Sequence, residues 1–157
     1  MTIGEVCNRR VVVTRPGESV AAAAREMRDL NVGDLVVTRD LEGQRVPIGI
    51  VTDRDIVVKA AAGPAGSIDM LTVSDIMTGT PVLAREHESL FDVLKRMRSH
   101  GIRRLPVVNA AGGLEGIFTL DDALDLLAEE LSDLVALIAR EQRHATEPGK
   151  TGRPRLA

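Results

Sequence analysis

A chain of 157 residues, 44% hydrophobic and 27% charged, has the composition of a soluble globular protein built as one compact domain or two small halves. Its formal net charge of −3 offers no global attraction to nucleic acid or to an anionic membrane, and no apolar run approaches the length of a membrane span. Phe91 and Phe118 are the only aromatic residues, so single-stranded bases find no stacking platform, and one cysteine excludes an internal disulfide.

In chain order, Thr2 with Glu5 three residues on predicts the start of a short helix. The opening residues Met1-Thr2-Ile3-Gly4-Glu5 have neither a basic flank nor an apolar run, which makes a cytoplasmic location the expectation. Cys7, beside Val6, reads as a small core filler. Val11-Val12-Val13 is an extended stretch. Ser19 then caps a helix whose apolar face runs Val20, Ala23, Met27, Leu30. Two β-rich runs follow, Leu35-Val36-Val37 and Ile48 to Val51, separated by a turn at Asp40-Leu41-Glu42-Gly43. A second helix begins just after Thr52.

Beyond a Gly/Ala/Pro stretch the same order starts again. Thr72 with Asp75 repeats Thr2 with Glu5; Pro81-Val82-Leu83 is the extended stretch; Ser89 caps a helix with Leu90, Val93, Leu94 and Met97 on its face. Leu105 to Val108 and Leu114 to Phe118 are the β-rich runs, and a helix begins after Thr119. A shift of 70 residues superposes the first part of the two copies and a shift of 67 the last, the lost residues falling in a turn where length changes are tolerated. The organisation is a first repeat at 2–60, a linker at 61–71, a second repeat at 72–130, a helical extension at 131–143 and a disordered tail at 144–157. The fold class expected is α/β (α+β): tandem repeats, each helix-strand-helix-strand-strand-helix, packed sheet to sheet with pseudo-twofold symmetry, plus an extended C-terminal helix. Such a pairing leaves two related clefts, natural sites for a ligand.

Gly49-Ile50-Val51-Thr52-Asp53-Arg54-Asp55, Gly101-Ile102-Arg103-Arg104-Leu105-Pro106-Val107-Val108 and Gly116-Ile117-Phe118-Thr119-Leu120-Asp121-Asp122 resemble the motifs of CBS domains, over about residues 2 to 130. The resemblance implies a stand-alone pair, a Bateman module, that binds AMP, ADP, ATP or S-adenosylmethionine without a required cofactor. It places ligand phosphate and ribose hydroxyls on Thr52 with Asp55 and on Thr119 with Asp122, with Arg54, Arg104 and Pro106 completing the set. The chemistry is coherent: a carboxylate accepts two hydrogen bonds from a cis-diol, and guanidinium groups bind phosphate. The first copy departs from the pattern, with Asp34 where Arg104 stands and Val36 in place of Pro106. An acid there repels phosphate and suits a cationic ligand, so S-adenosylmethionine stays open for that cleft.

Each feature also has a plainer reading. Thr-x-x-Asp ahead of an apolar helix is a capping box in its own right, and Arg103-Arg104 are also what a solvated strand edge carries. Gly149-Lys150-Thr151 lacks the first glycine and the preceding strand of a phosphate-binding loop. His87, His100 and His144 are far apart, off metal-ligand spacing, and no catalytic constellation emerges, so the reading is not an enzyme. Leu120, Leu124, Leu127, Leu131, Leu134 and Ile138 step by four and three, the seam of a coiled coil, and point to a homodimer. An adenosine-ligand sensor acting on a separate effector protein is the leading reading. The alternative is an interaction module with vacant clefts that works through its last helix; no nucleic acid and no membrane enter either.

Overall fold

The computed structural model describes residues 1–63 and 67–146, and the chain divides into two compact units, Met1–Asp122 and a second beginning at Ala123. Helix α1 (Ile3–Val6) starts where Thr2 donates its backbone N–H to Glu5 Oε2 at 2.6 Å. Strand β1 (Val13–Thr14), α2 (Val20–Leu30), β2 (Asp34–Leu41) and β3 (Gln44–Thr52) follow, then α3 (Asp53–Asp55), which runs into a π-helical turn at Ile56–Ala61. The linker carries α4 (Ser67–Met70), and the second copy has α5 (Val73–Ile76), β4 (Thr78–Gly79), β5 (Ala84–Arg85), α6 (Leu90–His100), β6 (Arg104–Val108) and β7 (Leu114–Thr119). Helix α7 (Leu120–Thr146) closes the described chain.

Local chemistry fixes most boundaries. Ser19 Oγ accepts from Ala22 N at 3.1 Å, capping α2, and Asn31 (φ 53°) and Gly101 (φ 62°) end α2 and α6 in the left-handed conformation. Ser89, expected to cap α6, makes no such bond; Glu88 Oε1 instead accepts from Arg85 N at 2.7 Å. The short strands begin later than their valines predict, at Val13 and Ala84, because pairing with β2 and β6 starts only there. Leu30, expected on the buried face of α2 at its last turn, is 53% exposed. Glu42 (φ 48°) and Gly43 (φ 78°) form a two-residue turn with the twist that a tight hairpin requires.

The sheets are ordered β1-β2-β3-β4 and β5-β6-β7. Their connections obey the repeat with an exchange built in. Ile3 N donates to Glu88 O and Val73 N to Glu18 O, both at 2.8 Å; Gly4 N donates to Glu86 O at 2.8 Å and Ser74 N to Pro16 O at 2.9 Å. Bridges pair Thr2 with Ser89 and Ser19 with Thr72, and likewise Asn8 with Ile117 and Thr78 with Ile50. Each copy's leading helix therefore docks on the other copy, and the two are related by a pseudo-twofold. The core around α2 includes Leu35, Val37, Val51 and Ile56 but also Val73 and Ile76 of the second copy. Gly49 and Gly116 permit this crossing: a Cβ on Gly49 falls 2.6 Å from Met77 Sδ, and one on Gly116 falls 2.6 Å from Cys7 Sγ and 2.9 Å from Asn8 O. Cys7 is buried.

Helix α7 is one continuous helix of 27 residues. Along it Leu124, Leu127, Leu131, Leu134 and Ile138 are each half exposed or more. No helix among the described residues is long and apolar enough to cross a membrane. The expected disorder of the tail concerns residues that, from 147 on, lie outside those described, as do linker residues 64–66.

Candidate functional site

The end of β3, the approach to β5 and the start of β6 enclose a cavity of about 550 Å³ within the first unit. Ile50, Val82 and Ile102 give it aliphatic walls, Thr52, Thr78 and Thr80 supply hydroxyl-bearing side chains, and Arg54, Arg103 and Arg104 supply guanidinium groups. Volume and lining suit a ligand with a planar apolar part and an anionic part. Thr80 adopts φ 50°, a conformation that a β-branched residue avoids, and it does so on the cavity wall.

Thr52 Oγ1 and Thr52 N both donate to Asp55 Oδ2, at 2.8 and 3.0 Å, and Asp55 N donates back to Thr52 Oγ1 at 3.1 Å. Asp55 Oδ1 accepts from Lys59 Nζ at 2.8 Å, and the same ammonium reaches Ile76 O at 2.7 Å. Both carboxylate oxygens of Asp55 are thus engaged by its own repeat. At the related position Thr119 N and Oγ1 donate to Asp122 Oδ2 at 2.8 and 2.7 Å, but Asp122 Oδ1 has no partner among the described residues. The helix starts also correspond: Asp53 N donates to Gly33 O at 3.0 Å, Leu120 N to Arg103 O at 2.8 Å.

Between the two clefts Arg104 Nη1 is bound to Asp34 Oδ1. These residues occupy the same place in the two copies, so the ion pair lies at the pseudo-twofold. Burial pushes the Asp34 carboxyl up, and the adjacent Arg104 offsets this only in part. Asp34, the acid expected to repel phosphate from one cleft, thus shares the guanidinium that also lines the cavity. Arg103 is 3.9 Å from Asp121 with both side chains mostly in solvent, and Arg54 has no acidic partner among the described residues. Two guanidinium groups are consequently available without breaking a buried pair.

Of the residues singled out from sequence, Thr52, Arg54 and Arg104 come together on the cavity. Asp55 is turned to Lys59, Pro106 is buried within β6, and Thr119 and Asp122 lie at the related position of the other copy, so none of these four is on its wall. Thr78, Thr80 and Ile102, which sequence reading did not assign to a site, are. Pro81-Val82-Leu83, expected only as an extended stretch, brings Pro81 and Val82 onto the cavity as it approaches β5. No group of three or more His, Cys, Asp or Glu among the described residues is placed to hold a metal ion.

Burial raises the Asp55 carboxyl, but the hydrogen bonds from Lys59 and Thr52 outweigh it and hold the group below the ordinary carboxylate range. A depressed folded pKa contributes stability that is complete above the unfolded value and is lost as pH falls through the folded one. The melting temperature of the wild type therefore drops more steeply below about pH 4 than that of Asp55→Asn, which flattens this limb of the curve. Asp34 acts with the opposite sign, because protonation relieves its burial. Melting curves of both proteins from pH 3 to 7 measure the difference.

The CBS domain family matches residues 3–61 and 73–129. An uncharacterised protein of Methanopyrus kandleri is 33% identical over 94% of this chain and 71% of its own length. Among solved structures, the CBS domain pair of protein MJ0100 in complex with 5′-methylthioadenosine and S-adenosyl-L-methionine aligns with a TM-score of 0.70 at 25% identity, covering 83% of this chain and 98% of that one. CBSX2 in complex with AMP aligns at 0.67 and 28% identity, covering 82% and 96%.

Proposed function

The chain belongs to the CBS-domain family, and from that premise we propose that it is a non-catalytic regulatory module that binds an adenosine-containing ligand between its two repeats. The observation that carries this reading is the cavity of about 550 Å³ whose aliphatic walls and guanidinium groups converge where the repeats meet. With no tryptophan or tyrosine in the chain and Phe91 and Phe118 off this cavity, the purine lies between Ile50, Val82 and Ile102, while Arg54, Arg103 and Arg104 face the phosphate. Asp122, with one carboxylate oxygen open, is the better diol acceptor of the two motif aspartates and belongs to the related cleft. The AMP and S-adenosylmethionine complexes of the two structural neighbours support the adenosine class.

Arg54 and Arg103, with Arg104 shared with Asp34, outnumber Asp53 on the same cavity and favour AMP, ADP or ATP over the cationic S-adenosylmethionine there. Isothermal titration of nucleotide-stripped protein tests the order: AMP binds at least tenfold more tightly than S-adenosylmethionine, and the reverse order sinks the assignment. A bound ligand regulates only by preferring one arrangement of the protein, so the module has a separate effector or a change of assembly as its output.

A second reading, interaction through α7, is favoured by the exposed heptad row from Leu124 to Ile138. A row of this kind is self-complementary, and the partner it fits is a second copy. Light scattering then gives a dimeric mass for the full chain and a monomeric mass after truncation at Glu130; a dimer that survives truncation places the interface elsewhere.

A further inference from the structure

The repeat is broken at one place that the adenosine cleft does not use. In the second copy Arg96, on α6, donates from Nη1 to Leu83 O at 2.7 Å and to Glu88 Oε1 at 3.2 Å, and its Nη2 holds Glu88 Oε2. Its guanidinium ties α6 to the segments on either side of β5. The 70-residue shift puts Glu26 where Arg96 stands, while Glu18 corresponds to Glu88 and Val13 to Leu83. The first copy therefore keeps the acceptors and lacks the donor. A cavity of about 390 Å³ opens there, with Val13, Glu18 and Glu26 on its wall, and neither carboxylate has a partner among the described residues.

The floor of the cavity is altered to match. Thr14 and Thr38 line it and are each only 6% exposed, the buried polar residues of the described core. Neither hydroxyl has a hydrogen-bond partner among the described residues, yet neither is sealed off, so both open into the cavity. In the second copy the same positions are Ala84 and Val108, apolar and buried. Two threonines in place of alanine and valine put hydroxyls without a protein partner among the described residues on the floor of this cavity, where they meet whatever enters it. Arg15, Asp40 and Arg45 complete the rim; Arg15 lies 3.7 Å from Asp40 with both largely in solvent.

We infer that this cavity of the first repeat is a second ligand site, separate from the adenosine cleft, for a small guanidinium compound such as arginine or agmatine. The ligand's planar N–H fork supplies what Arg96 supplies in the second copy: paired hydrogen bonds to carboxylate and a bond to backbone carbonyl. Thr14 and Thr38 accept its remaining N–H groups. The probe that isolates this chemistry is L-arginine against L-citrulline, which has the same shape but no charge.

At 5 mM, arginine raises the melting temperature of the wild type by about 5 °C and citrulline leaves it unchanged. Glu26→Gln removes the arginine effect. Glu26→Arg, which rebuilds the second copy's ion pair with Glu18, also removes it and raises the melting temperature of the ligand-free protein. The inference is overturned by an equal response to citrulline, by no response in the wild type, or by an arginine shift that survives both Glu26 variants. It is equally overturned if arginine acts only on Arg45→Ala, because Arg45 then already fills the cavity from the rim.

Discussion

Phe118→Ala lowers the melting temperature by roughly 10–15 °C, the loss of about 3–5 kcal/mol expected for truncating a fully buried phenylalanine in a domain of this size. Phe118 is 0% exposed and is the largest fully buried side chain among the described residues. It sits in β7, opposite Leu105 on β6, one residue before Thr119 and two after Gly116. No second phenylalanine is placed to repack into the space, since Phe91 is 66% exposed. The cavity left behind lies at the root of the Thr119-x-x-Asp122 motif, so the loss reaches the second cleft as well as the core. Phe91→Ala is the control and shifts the melting temperature by about 1 °C or less. A small, equal effect from both substitutions contradicts the placement of Phe118.

Arg104→Gln weakens AMP binding about 10- to 100-fold, the range for removing a charge-assisted hydrogen bond to phosphate, and leaves adenosine binding nearly unchanged. The substitution also strands Asp34, whose carboxylate is 16% exposed and loses its ion-pair partner. For that reason the protein loses stability in the single variant and regains most of it in Asp34→Asn/Arg104→Gln, where the weak AMP binding persists. Asp34→Asn alone frees the guanidinium for phosphate and tightens AMP up to about tenfold without tightening S-adenosylmethionine. Titration calorimetry on the four proteins separates the two effects. Equal weakening of AMP and adenosine in Arg104→Gln places the phosphate elsewhere.

The repeat and its element order were legible because Thr2 and Thr72, Ser19 and Ser89, and the two Gly-x-x-Thr runs recur at fixed spacing. The exchange of leading helices was not. Val73 and Ile76 look like the start of the second copy, yet they pack into the core of the first, and linear order carries no trace of which core an apolar helix enters. Gly49 and Gly116 stand in the sequence as motif residues, and the structure gives their cause, the close passage of Met77 and Cys7. At the candidate site, Thr52, Arg54 and Arg104, which the family resemblance implies, line the cavity, whereas Thr80 and Ile102 reach it through loop geometry. The Asp34–Arg104 pair was visible as two mismatched letters of the repeat, but their contact depends on the pseudo-twofold bringing equivalent positions face to face.

The most direct test is a titration of nitrogen-15-labelled, nucleotide-stripped protein with AMP, followed in amide correlation spectra. The account predicts saturable shifts concentrated in Ile50 to Arg54, Thr78 to Val82 and Gly101 to Arg104, the segments that enclose the cavity. Shifts centred on α7 or on the Thr14–Thr38 cavity, or none at millimolar AMP, contradict it.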